Sequence, residues 1–467
     1  MNFRSCCYRC LFALAALATA GAAPRPNVLV LFADDQRADT IAALGNPLIR
    51  TPNLDRLVGE GTAFTRAYCM GSHHGAVCVP SRAMLLTGRT LFRVKDSLEG
   101  LPTWPEAFAK AGYTTFLTGK WHNQAASALR VFQHGRSIFL GGMGDPYRLP
   151  LQDITPDHTF TKARPSGEHS VRLFADAASE FIRDQPADRP FVCYVAFNLP
   201  HDPRVAPESF HRRYEAEKPP IPANFLPQHP FDNGALALRD EQLAPWPRTP
   251  DLVRRHLADY YASIEFLDEQ VGRILDALRA SGRADRTLIV YAADHGLAIG
   301  SHGLFGKQSL YDHSMRAPLI LAGPGVPKGR KSDAMCYLLD IFPTLGELAG
   351  VAGPEGSEGV SLVPALSGRP VPGRETIFTA YGNSQRAVRD DRWKLILYPQ
   401  INKSQLFDLS ADPAETRDLA GDRPGEVARL TGLLEAWQGK LGDKQPLTIP
   451  NPRPAEFDFS KVKPSDR

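Results

Sequence analysis

Five short runs of the chain are apolar without alternation between hydrophobic and polar positions. A continuous run of this kind is typical of a strand that helices cover on both faces, as in a parallel sheet. The runs are Asn27–Ala33, Thr114–Leu117, Phe191–Phe197, Thr287–Ala292 and Pro318–Leu321. We therefore expect these segments to form a mostly parallel sheet.

Segments with helical periodicity lie between these runs. Apolar residues recur there every three or four positions, which is the spacing of one helix face. The predicted helices are Trp104–Ala111, Ser170–Asp184 and Leu252–Ala280. Strands that alternate with helices predict an α/β domain whose mostly parallel central sheet is flanked by helices.

The pattern changes after about residue 370. The predicted elements there are a hairpin of Arg386–Arg389 and Trp393–Tyr398, a short strand at Gln405–Leu409 and a helix at Gly425–Leu441. We expect a main domain over residues 24–370 and a small α+β subdomain with an antiparallel sheet and a tail over residues 371–467. The Gly- and Pro-rich segment Gly353–Gly373 is the predicted linker.

The first 23 residues have the pattern of an export signal. Arg4 and Arg9 give a basic start, Leu11–Ala20 is a short apolar run, and Ala18–Ala23 supplies small residues for cleavage. The run has about half of the ~20 residues that cross a bilayer, and an uncleaved anchor is the alternative. We expect an exported protein, periplasmic or extracellular, without a stable membrane span.

Charge and cysteine content restrict the function classes. The 467 residues include 54 Lys and Arg against 51 Asp and Glu. This balance gives no support for a nucleic-acid partner, which usually needs a strongly basic patch. Cys69, Cys78, Cys193 and Cys336 follow the predicted signal and have no CxxC spacing. Neither a disulfide framework nor a zinc–thiolate site is therefore expected.

Chemically active residues follow four of the apolar runs. In an open parallel sheet the carboxyl ends of the strands lie along one edge, where ligands bind. The residues that follow are Asp34 and Asp35, Lys120 and His122, His201, and Asp294 and His295. We therefore expect one rim that collects three carboxylates, a lysine and three histidines.

The three carboxylates predict a metal site. Asp34, Asp35 and Asp294 would repel one another and lose hydration if they were buried together without a counter-ion. A hard divalent cation removes this problem, and all-oxygen ligation favours calcium or magnesium. His295 could add a nitrogen ligand or orient a carboxylate. Helix capping stays open as an alternative role for Asp35.

Residues 78–89 read Cys-Val-Pro-Ser-Arg-Ala-Met-Leu-Leu-Thr-Gly-Arg. Pro80 suits the first position of a helix, and Gly88 suits its C-terminal cap. Cys78 would then lie at a helix N-terminus, where negative charge is favoured, and Arg82 could reach back toward it. A reactive cysteine with a lowered thiol pKa is one interpretation of this pattern.

Here the sequence resembles the sulfatase family. Cys-x-Pro-Ser-Arg followed by Leu-x-Thr-Gly-Arg is similar to the family's maturation signature, in which a separate enzyme oxidises the cysteine to formylglycine (3-oxoalanine). The resemblance is closest in style to bacterial iduronate-sulfatase-like and choline-sulfatase-like members. It implies an alkaline-phosphatase-like fold. The segments that carry it, in the family's order, are Pro26–Asp35, Cys78–Arg89, Thr118–His122, Pro200-His201, Ala293–Gly296, Gly303–Lys307 and Leu339–Gly350.

The resemblance also implies a metal site and a nucleophile. Asp34, Asp35, Asp294 and His295 would hold one calcium ion together with the modified Cys78. The hydrated aldehyde at position 78 has two hydroxyl groups, one of which would attack sulfur beside the calcium ion. The calcium ion would also polarise a sulfate oxygen as a Lewis acid.

The remaining residues receive their roles from the same resemblance. Arg82 would lie beside the attacking hydroxyl, while Lys120, His201 and Lys307 would bind the sulfate group and neutralise its charge. His201, with or without Lys307, would protonate the departing alcohol. His122 would take a proton from the second hydroxyl and so release sulfate. His302, beside a motif segment, is also predicted to bind substrate, with a structural role as the alternative.

The expected partners are a sulfated small molecule or glycan and the formylglycine-generating or sulfatase-maturating enzyme that acts on Cys78. Three other functions stay open at this stage. A phosphonate monoester or phosphodiester hydrolase could use the same fold and motif. An inactive, carbohydrate-binding pseudo-sulfatase would lack the maturation step. A cysteine hydrolase could use Cys78 with His122, but it would leave the three aspartates without a purpose.

Overall fold

A computed structural model of the chain describes residues 25–462, so the predicted export signal at residues 1–23 lies outside the described residues. The strands are β1 (Asn27–Ala33), β2 (Gly61–Tyr68), β3 (Gly71–Ser72), β4 (Thr114–Lys120), β5 (His134–Phe139), β6 (Pro150–Gln152), β7 (Arg164–Pro165), β8 (Phe191–Ala196), β9 (Thr287–Ala293), β10 (Arg316–Ala317), β11 (Leu319–Ala322), β12 (Arg330–Tyr337), β13 (Ile377–Tyr381), β14 (Gln385–Arg389), β15 (Trp393–Tyr398) and β16 (Lys403–Asp408). The helices are α1 (Pro52–Glu60), α2 (Cys78–Thr87), α3 (Trp104–Lys110), α4 (Ala125–Val131), α5 (Ser170–Asp184), α6 (Glu208–Glu217), α7 (Pro250–Ala280), α8 (Asp312–Met315), α9 (Ile341–Ala349), α10 (Val363–Leu366) and α11 (Pro424–Leu441).

The larger sheet has a parallel centre. Strands β5, β4, β8, β1 and β9 are consecutive neighbours, and each of these pairs is parallel. Over residues 25–462 the full order is β10-β2-β11-β9-β1-β8-β4-β5-β6-β7, with β12 paired to β2. The predicted α/β architecture with a mostly parallel central sheet is confirmed.

The burial of the central strands follows from their sequence. Every residue of β1, β4, β8 and β9 is buried, as expected for apolar runs that helices cover. Helix α5 contacts β4 and β8, and the long helix α7 packs against α1, α5 and α6. Helix α7 begins with Pro250 after Thr249, whose side chain accepts the Leu252 N–H, a favourable start for a helix.

One predicted strand runs in the opposite direction. The run Pro318–Leu321 is predicted as a parallel strand, but β11 pairs antiparallel with both β9 and β2. A parallel return to the sheet needs a long crossover connection, which is usually a helix. The connection from β9 carries only the four-residue helix α8, so the chain turns back beside β9.

The smaller sheet has the order β16-β15-β14-β13-β3, and helix α11 contacts β14 and β15. Its neighbours are antiparallel except for β3, which pairs parallel with β13. Gly71 in β3 has φ +107°, and a Cβ atom there would lie 1.9 Å from the Ala380 carbonyl oxygen. The smaller sheet therefore includes the segment that leads to Cys78. The division of the chain at residue 370 stays a prediction.

Two further expectations concern membranes and thiols. No helix among the described residues combines the length and the apolar character that a bilayer span requires. Cys69, Cys78, Cys193 and Cys336 are buried free thiols. Cys193 lies inside β8 and is completely buried, as expected for a core residue.

Candidate active site

The predicted rim forms at the carboxyl ends of the central strands. Asp34 directly follows β1, Asp294 directly follows β9, and Lys120 is the last residue of β4. Strands β1 and β9 pair in parallel with Ala33 opposite Ala293, so Asp34 and Asp294 leave adjacent strands at the same level. Parallel pairing thus brings residues from distant parts of the chain to one edge of the sheet.

Three carboxylates converge at this edge. Asp34, Asp35 and Asp294 each offer one oxygen, and these three atoms lie within 4.8 Å of one another. All three side chains are buried. The Asp35 backbone N–H donates to Asp294 Oδ1 at 3.0 Å. Asp35 has φ 66°, a left-handed conformation that residues other than glycine rarely adopt. Such conformations cluster at functional sites.

The crowding of these carboxylates affects their protonation. Burial raises the pKa of Asp34, but Lys120 and His201 outweigh this effect and hold the pKa well below its ordinary value. Burial, helped by the negative charge of Asp34, raises the pKa of Asp294 to about 6. Repulsion between neighbouring carboxylates is therefore only partly balanced by the surrounding basic groups.

Arg82 and Lys120 contact the carboxylates from one side. Arg82 Nη2 lies 3.1 Å from Asp294 Oδ2 and 3.4 Å from Asp34 Oδ1. Lys120 Nζ donates to Asp34 Oδ2 at 2.6 Å. Gly119 has φ +95°, and a Cβ atom there would lie 1.9 Å from a carbonyl oxygen of β8. Glycine is therefore required directly before Lys120.

Lys307, His201 and His295 contact Asp35 through their side chains. Lys307 Nζ donates to the two Asp35 oxygens at 2.9 and 3.0 Å. His201 Nε2 lies 3.8 Å from Asp35 Oδ2, and His295 Nε2 lies 3.5 Å from Asp35 Oδ1. Burial lowers the pKa of His295, but Asp294 and Asp35 outweigh it and raise the pKa to about 9.

The Cys78 thiol belongs to the same cluster. Its Sγ atom lies 3.5 Å from His122 Nδ1 and 3.6 Å from Lys120 Nζ. It also forms a group with Asp294 and His295 whose potential ligand atoms lie within 4.8 Å of one another. Burial raises the pKa of this thiol, but Lys120 and other basic neighbours hold it well below its ordinary value.

Helix α2 positions the thiol. The helix begins at Cys78 itself, two residues earlier than the pattern predicts, so Pro80 is its third residue. Gly88 forms the predicted C-terminal cap with φ 68°. Ser81 Oγ donates to the Asp294 carbonyl oxygen at 2.7 Å and so connects the first turn of α2 to the end of β9.

His122 lies at the more open side of the cluster and is half-buried. Its backbone has φ 63°, again the left-handed conformation. A Cβ atom on Gly142 would lie 2.5 Å from His122 Nε2, so the loop after β5 closely approaches the imidazole ring. Burial lowers the pKa of His122.

His302 is the one predicted site residue that lies outside this cluster. Its Nε2 atom lies 2.9 Å from the Glu415 carbonyl oxygen, and its ring stacks on Tyr311 with centroids 3.8 Å apart. Burial lowers its pKa to about 3, so the ring is neutral at ordinary pH. These partners favour the structural alternative for His302, and its predicted role in substrate binding stays a prediction.

A polar group beside the cluster is absent from the sequence predictions. Arg239 forms a bidentate ion pair with Asp202, and its Nη1 atom also donates to Asp240 Oδ1 at 3.0 Å. Asp240 Oδ2 accepts from Gln308 Nε2 at 2.7 Å. Asp202 directly follows His201, and Gln308 directly follows Lys307. Position next to a predicted site residue was therefore the sequence feature that could have identified them. Arg239 and Asp240 lie in a long, proline-rich segment without a clear hydrophobic period.

The donor set fits a hard divalent cation. Asp34 Oδ1 and His295 Nε2 are buried, and within residues 25–462 they have charged neighbours at 3.4 and 3.5 Å but no hydrogen-bond partner. An unsatisfied buried polar atom costs roughly 1–3 kcal/mol, which coordination would offset. Three carboxylates provide the oxygen ligands that calcium and magnesium prefer. Asp34, Asp35 and Asp294 could therefore hold such an ion, with Cys78 and His295 next to it.

Comparison with known sequences gives consistent matches. Residues 26–351 match the family model described as Sulfatase, and residues 300–436 match N-sulphoglucosamine sulphohydrolase, C-terminal. The chain is 30% identical to a choline-sulfatase from Rhizobium meliloti (strain 1021), over 87% of this chain and 85% of that protein. It is 27% identical to an N-acetylglucosamine-6-O-sulfatase from Bacteroides thetaiotaomicron, over 93% and 91% of the two chains.

Comparison with solved structures gives the same fold. One is a protein in complex with its substrate D-glucosamine-2-N,6-O-disulfate, with a TM-score of 0.77, 24% identity, and coverage of 91% of this chain and 99% of that one. Another is a phosphonate monoester hydrolase of Agrobacterium radiobacter, with a TM-score of 0.70, 24% identity, and coverage of 90% and 96%. The fold alone therefore does not distinguish sulfur esters from phosphorus esters.

Proposed function

The chain belongs to the sulfatase family and is a sulfuric ester hydrolase, and from this premise we propose that its substrate is a sulfate monoester of a carbohydrate. The convergence of Asp34, Asp35 and Asp294 beside Cys78, among buried basic side chains, supports the cleavage of a sulfate ester. Similarity to an N-acetylglucosamine-6-O-sulfatase supports the sugar. The proposal includes formylglycine at position 78 and a calcium ion held by these carboxylates with His295.

The charges around position 78 support the binding of a sulfuryl group. Three buried cations contact oxygen atoms of the site carboxylates, namely Arg82, Lys120 and Lys307. Buried, preorganised donors stabilise charge that develops in a transition state more than the same groups do in water. A bound calcium ion would add Lewis-acid polarisation of a sulfate oxygen.

Two histidines are suitably positioned for proton transfer. His122 Nδ1 lies 3.5 Å from the side-chain atom at position 78, so it can accept a proton from a hydroxyl group carried there. His201 Nδ1 lies 2.7 Å from the Asp202 carbonyl oxygen, which fixes the ring and directs Nε2 toward Asp35. His201 would donate its Nε2 proton to the departing alcohol oxygen, with Lys307 beside it.

Maturation and export belong to the same proposal. A separate formylglycine-generating or sulfatase-maturating enzyme would oxidise Cys78, supported by the motif at residues 78–89. The protein would act in the periplasm or outside the cell, supported by the signal pattern of residues 1–23. The substrate would be a sulfated glycan or a sulfated small molecule that contains a sugar.

Mass spectrometry of the peptide that spans Cys78 tests the nucleophile. Protein from its native host should carry an aldehyde at position 78, recognised by its lower mass and by reaction with a hydrazide reagent. The Cys78→Ala variant is the control for the reagent and should also be inactive. A native protein that hydrolyses sulfate esters with an unmodified thiol would refute the formylglycine assignment.

Turnover of matched esters tests the reaction. An aryl sulfate should be hydrolysed with a kcat/KM at least about 10²-fold above that of an aryl phosphodiester with the same leaving group. Sulfated monosaccharides should also be substrates, because the proposal places a sugar in the site. A preference for the phosphorus ester would favour the phosphonate and phosphodiester hydrolases instead.

A further inference from the structure

The short 3₁₀ helix Arg239–Leu243 is fixed to the loop that carries Lys307. Glu241 is buried, and its Oε2 and Oε1 atoms accept the backbone N–H groups of Phe305 and Gly306 at 2.9 and 2.8 Å. Glu241 also pairs with Arg248 at 3.0 Å. These contacts fix the position of residues 239–243 beside the loop that carries Lys307.

Asp240 contacts the site loop directly. Its Oδ2 atom accepts from Gln308 Nε2 at 2.7 Å, and Gln308 Oε1 accepts the Lys307 backbone N–H at 3.1 Å. Gln308 Nε2 also donates to the Gly75 carbonyl oxygen at 2.8 Å, on the segment before α2. A Cβ atom on Gly306 would lie 2.9 Å from the Asp240 Cβ atom, so the two segments pack closely.

Arg239 connects Asp240 to the other side of the site. Its guanidinium group contacts Asp240 Oδ1 and both carboxylate oxygens of Asp202. Asp202 follows His201, and its carbonyl oxygen lies 2.7 Å from His201 Nδ1. Asp240 is therefore linked to both Lys307 and His201, the residues on the leaving-alcohol side of the proposed reaction.

The Asp240 carboxylate keeps capacity for a further partner. Its side chain is 14% exposed, whereas Asp35 and Asp294 are almost completely buried. A carboxylate can accept about four hydrogen bonds, and the described contacts use one on each oxygen. Burial raises the pKa of Asp240, but Lys307 and the Gln308 amide outweigh it and lower the pKa. The group is thus ionised at neutral pH.

An ionised carboxylate at this place distinguishes among leaving alcohols. It accepts hydrogen bonds from hydroxyl groups and repels a second sulfate or carboxylate group. An aryl alcohol without further hydroxyl groups cannot use it. We propose that Asp240 is a specificity-determining residue that accepts a hydrogen bond from a hydroxyl group next to the scissile ester, and so favours neutral sugar sulfates. This inference rests on the proposed function.

The test compares two substrates in the matured protein. Asp240→Ala should lower kcat/KM for a cleaved monosaccharide sulfate, such as N-acetylglucosamine-6-sulfate or galactose-6-sulfate, by about 10- to 100-fold. The loss of kcat/KM for 4-nitrophenyl sulfate should be at least about fivefold smaller, because this substrate has no hydroxyl group for Asp240 and reports only a shift of Lys307 or His201. A deoxy sugar sulfate that lacks the neighbouring hydroxyl should lose this sensitivity to Asp240→Ala, which completes a double-mutant cycle.

Asp232→Asn is the matched control, because Asp232 lies on the same segment and accepts a hydrogen bond from the Gly234 N–H instead. Equal losses for both substrates, or no loss for either, would overturn the inference while the sulfatase assignment stands. A wild-type protein that cleaves the aryl sulfate and no sugar sulfate would overturn both this inference and the proposed carbohydrate substrate, and would leave only the sulfatase assignment. A matured wild-type protein that cleaves no sulfate ester would overturn the proposed function itself.

Discussion

Two buried clusters of charge differ in how their atoms are arranged. The site cluster at the end of the parallel strands contains three carboxylates, Asp34, Asp35 and Asp294. The inter-sheet cluster, defined by Asp312, Glu415, Lys394 and Arg389, lies where the smaller sheet meets the larger one. There, Lys394 Nζ lies 2.8 Å from Asp312 Oδ1 and 2.7 Å from Glu415 Oε1. Arg389 Nη1 lies 3.7 Å from Asp312 Oδ2.

Both clusters contain close ion pairs, but only the site cluster brings the oxygen atoms of three carboxylates together. Among residues 25–462, Asp312 and Glu415 belong to no group of three potential metal ligands, whereas the three site carboxylates form one. In the inter-sheet cluster a cation lies between the two carboxylates. Burial and ion pairing therefore do not identify an active site. Like charges held together against their repulsion are the more specific feature.

Lys394→Met tests the structural role of the inter-sheet cluster. Lys394 is 3% exposed, and its loss would leave Asp312 and Glu415 without their shared cation. Breaking a buried ion pair by removing one partner costs about 3–5 kcal/mol. We expect this decrease in the free energy of unfolding, measured in urea. The kcat/KM of the folded variant should stay within about threefold of the wild type, and a selective loss of activity would contradict the comparison.

Lys120→Met is the matched change in the site cluster. Lys120 is also completely buried and pairs with Asp34 at 2.6 Å. We expect kcat to fall by about 10²- to 10³-fold, the usual effect of removing one preorganised donor. With calcium present, the free energy of unfolding should fall by less than in Lys394→Met, because Arg82 and the ion would still neutralise Asp34, whereas Glu415 loses its Lys394 partner. An active but strongly destabilised variant would remove the distinction between the clusters.

Chelation of the proposed calcium ion would separate the clusters without a mutation. A ligand present at about 100 times its Kd stabilises the folded state by about 2.7 kcal/mol. We expect chelation to lower the free energy of unfolding by about 2–3 kcal/mol and to abolish activity. Asp294→Asn should lose this dependence on calcium, while Lys394→Met should keep it. A calcium effect that is unchanged in Asp294→Asn would place the ion elsewhere.

The sequence pattern predicts the helices, the strands and the residues at the strand ends better than it predicts the contacts made by the loops. The limits of β1 and α5 agree with the predicted segments, because burial on both faces leaves a continuous apolar run and burial on one face leaves a helical period. The proximity of Asp34 and Asp294 follows from strand ends, because parallel strands align their carboxyl ends. The catalytic roles of these residues stay predictions.

The features that the sequence pattern does not give are contacts between distant segments. The direction of β11 depends on the connection before it, which contains no crossover helix. The role of His302 depends on Tyr311 and Glu415, and the latter is more than a hundred residues away. The position of Asp240 depends on Glu241, whose carboxylate binds backbone N–H groups of another loop. Hydrophobic period does not report such contacts, because it reflects only which face of an element is buried.

A half-exposed pair provides the reference for both buried clusters. His211 on α6 lies 2.9 Å from Asp259 on α7, and the two side chains are 20% and 45% exposed. The hydrogen bond to Asp259 is the main cause that raises the pKa of His211 above its ordinary value of 6.5. Protonated His211 is thus more favourable in the folded state. Its stabilising contribution is complete below the unfolded pKa and is lost as the pH rises through the raised, folded pKa.

Asp259→Asn should therefore lower the free energy of unfolding by less than about 1 kcal/mol at about pH 5.5, and by a smaller amount at about pH 8.5. Urea unfolding of both proteins at the two pH values measures this difference. Asp251→Asn, which removes an exposed carboxylate on the same helix, is the control for a general charge effect. If Asp259→Asn lowered the free energy of unfolding equally at both pH values, the pair would stabilise the fold by packing and not by charge. A loss as large as that of Lys394→Met would show that burial is not what separates strong ion pairs from weak ones in this fold.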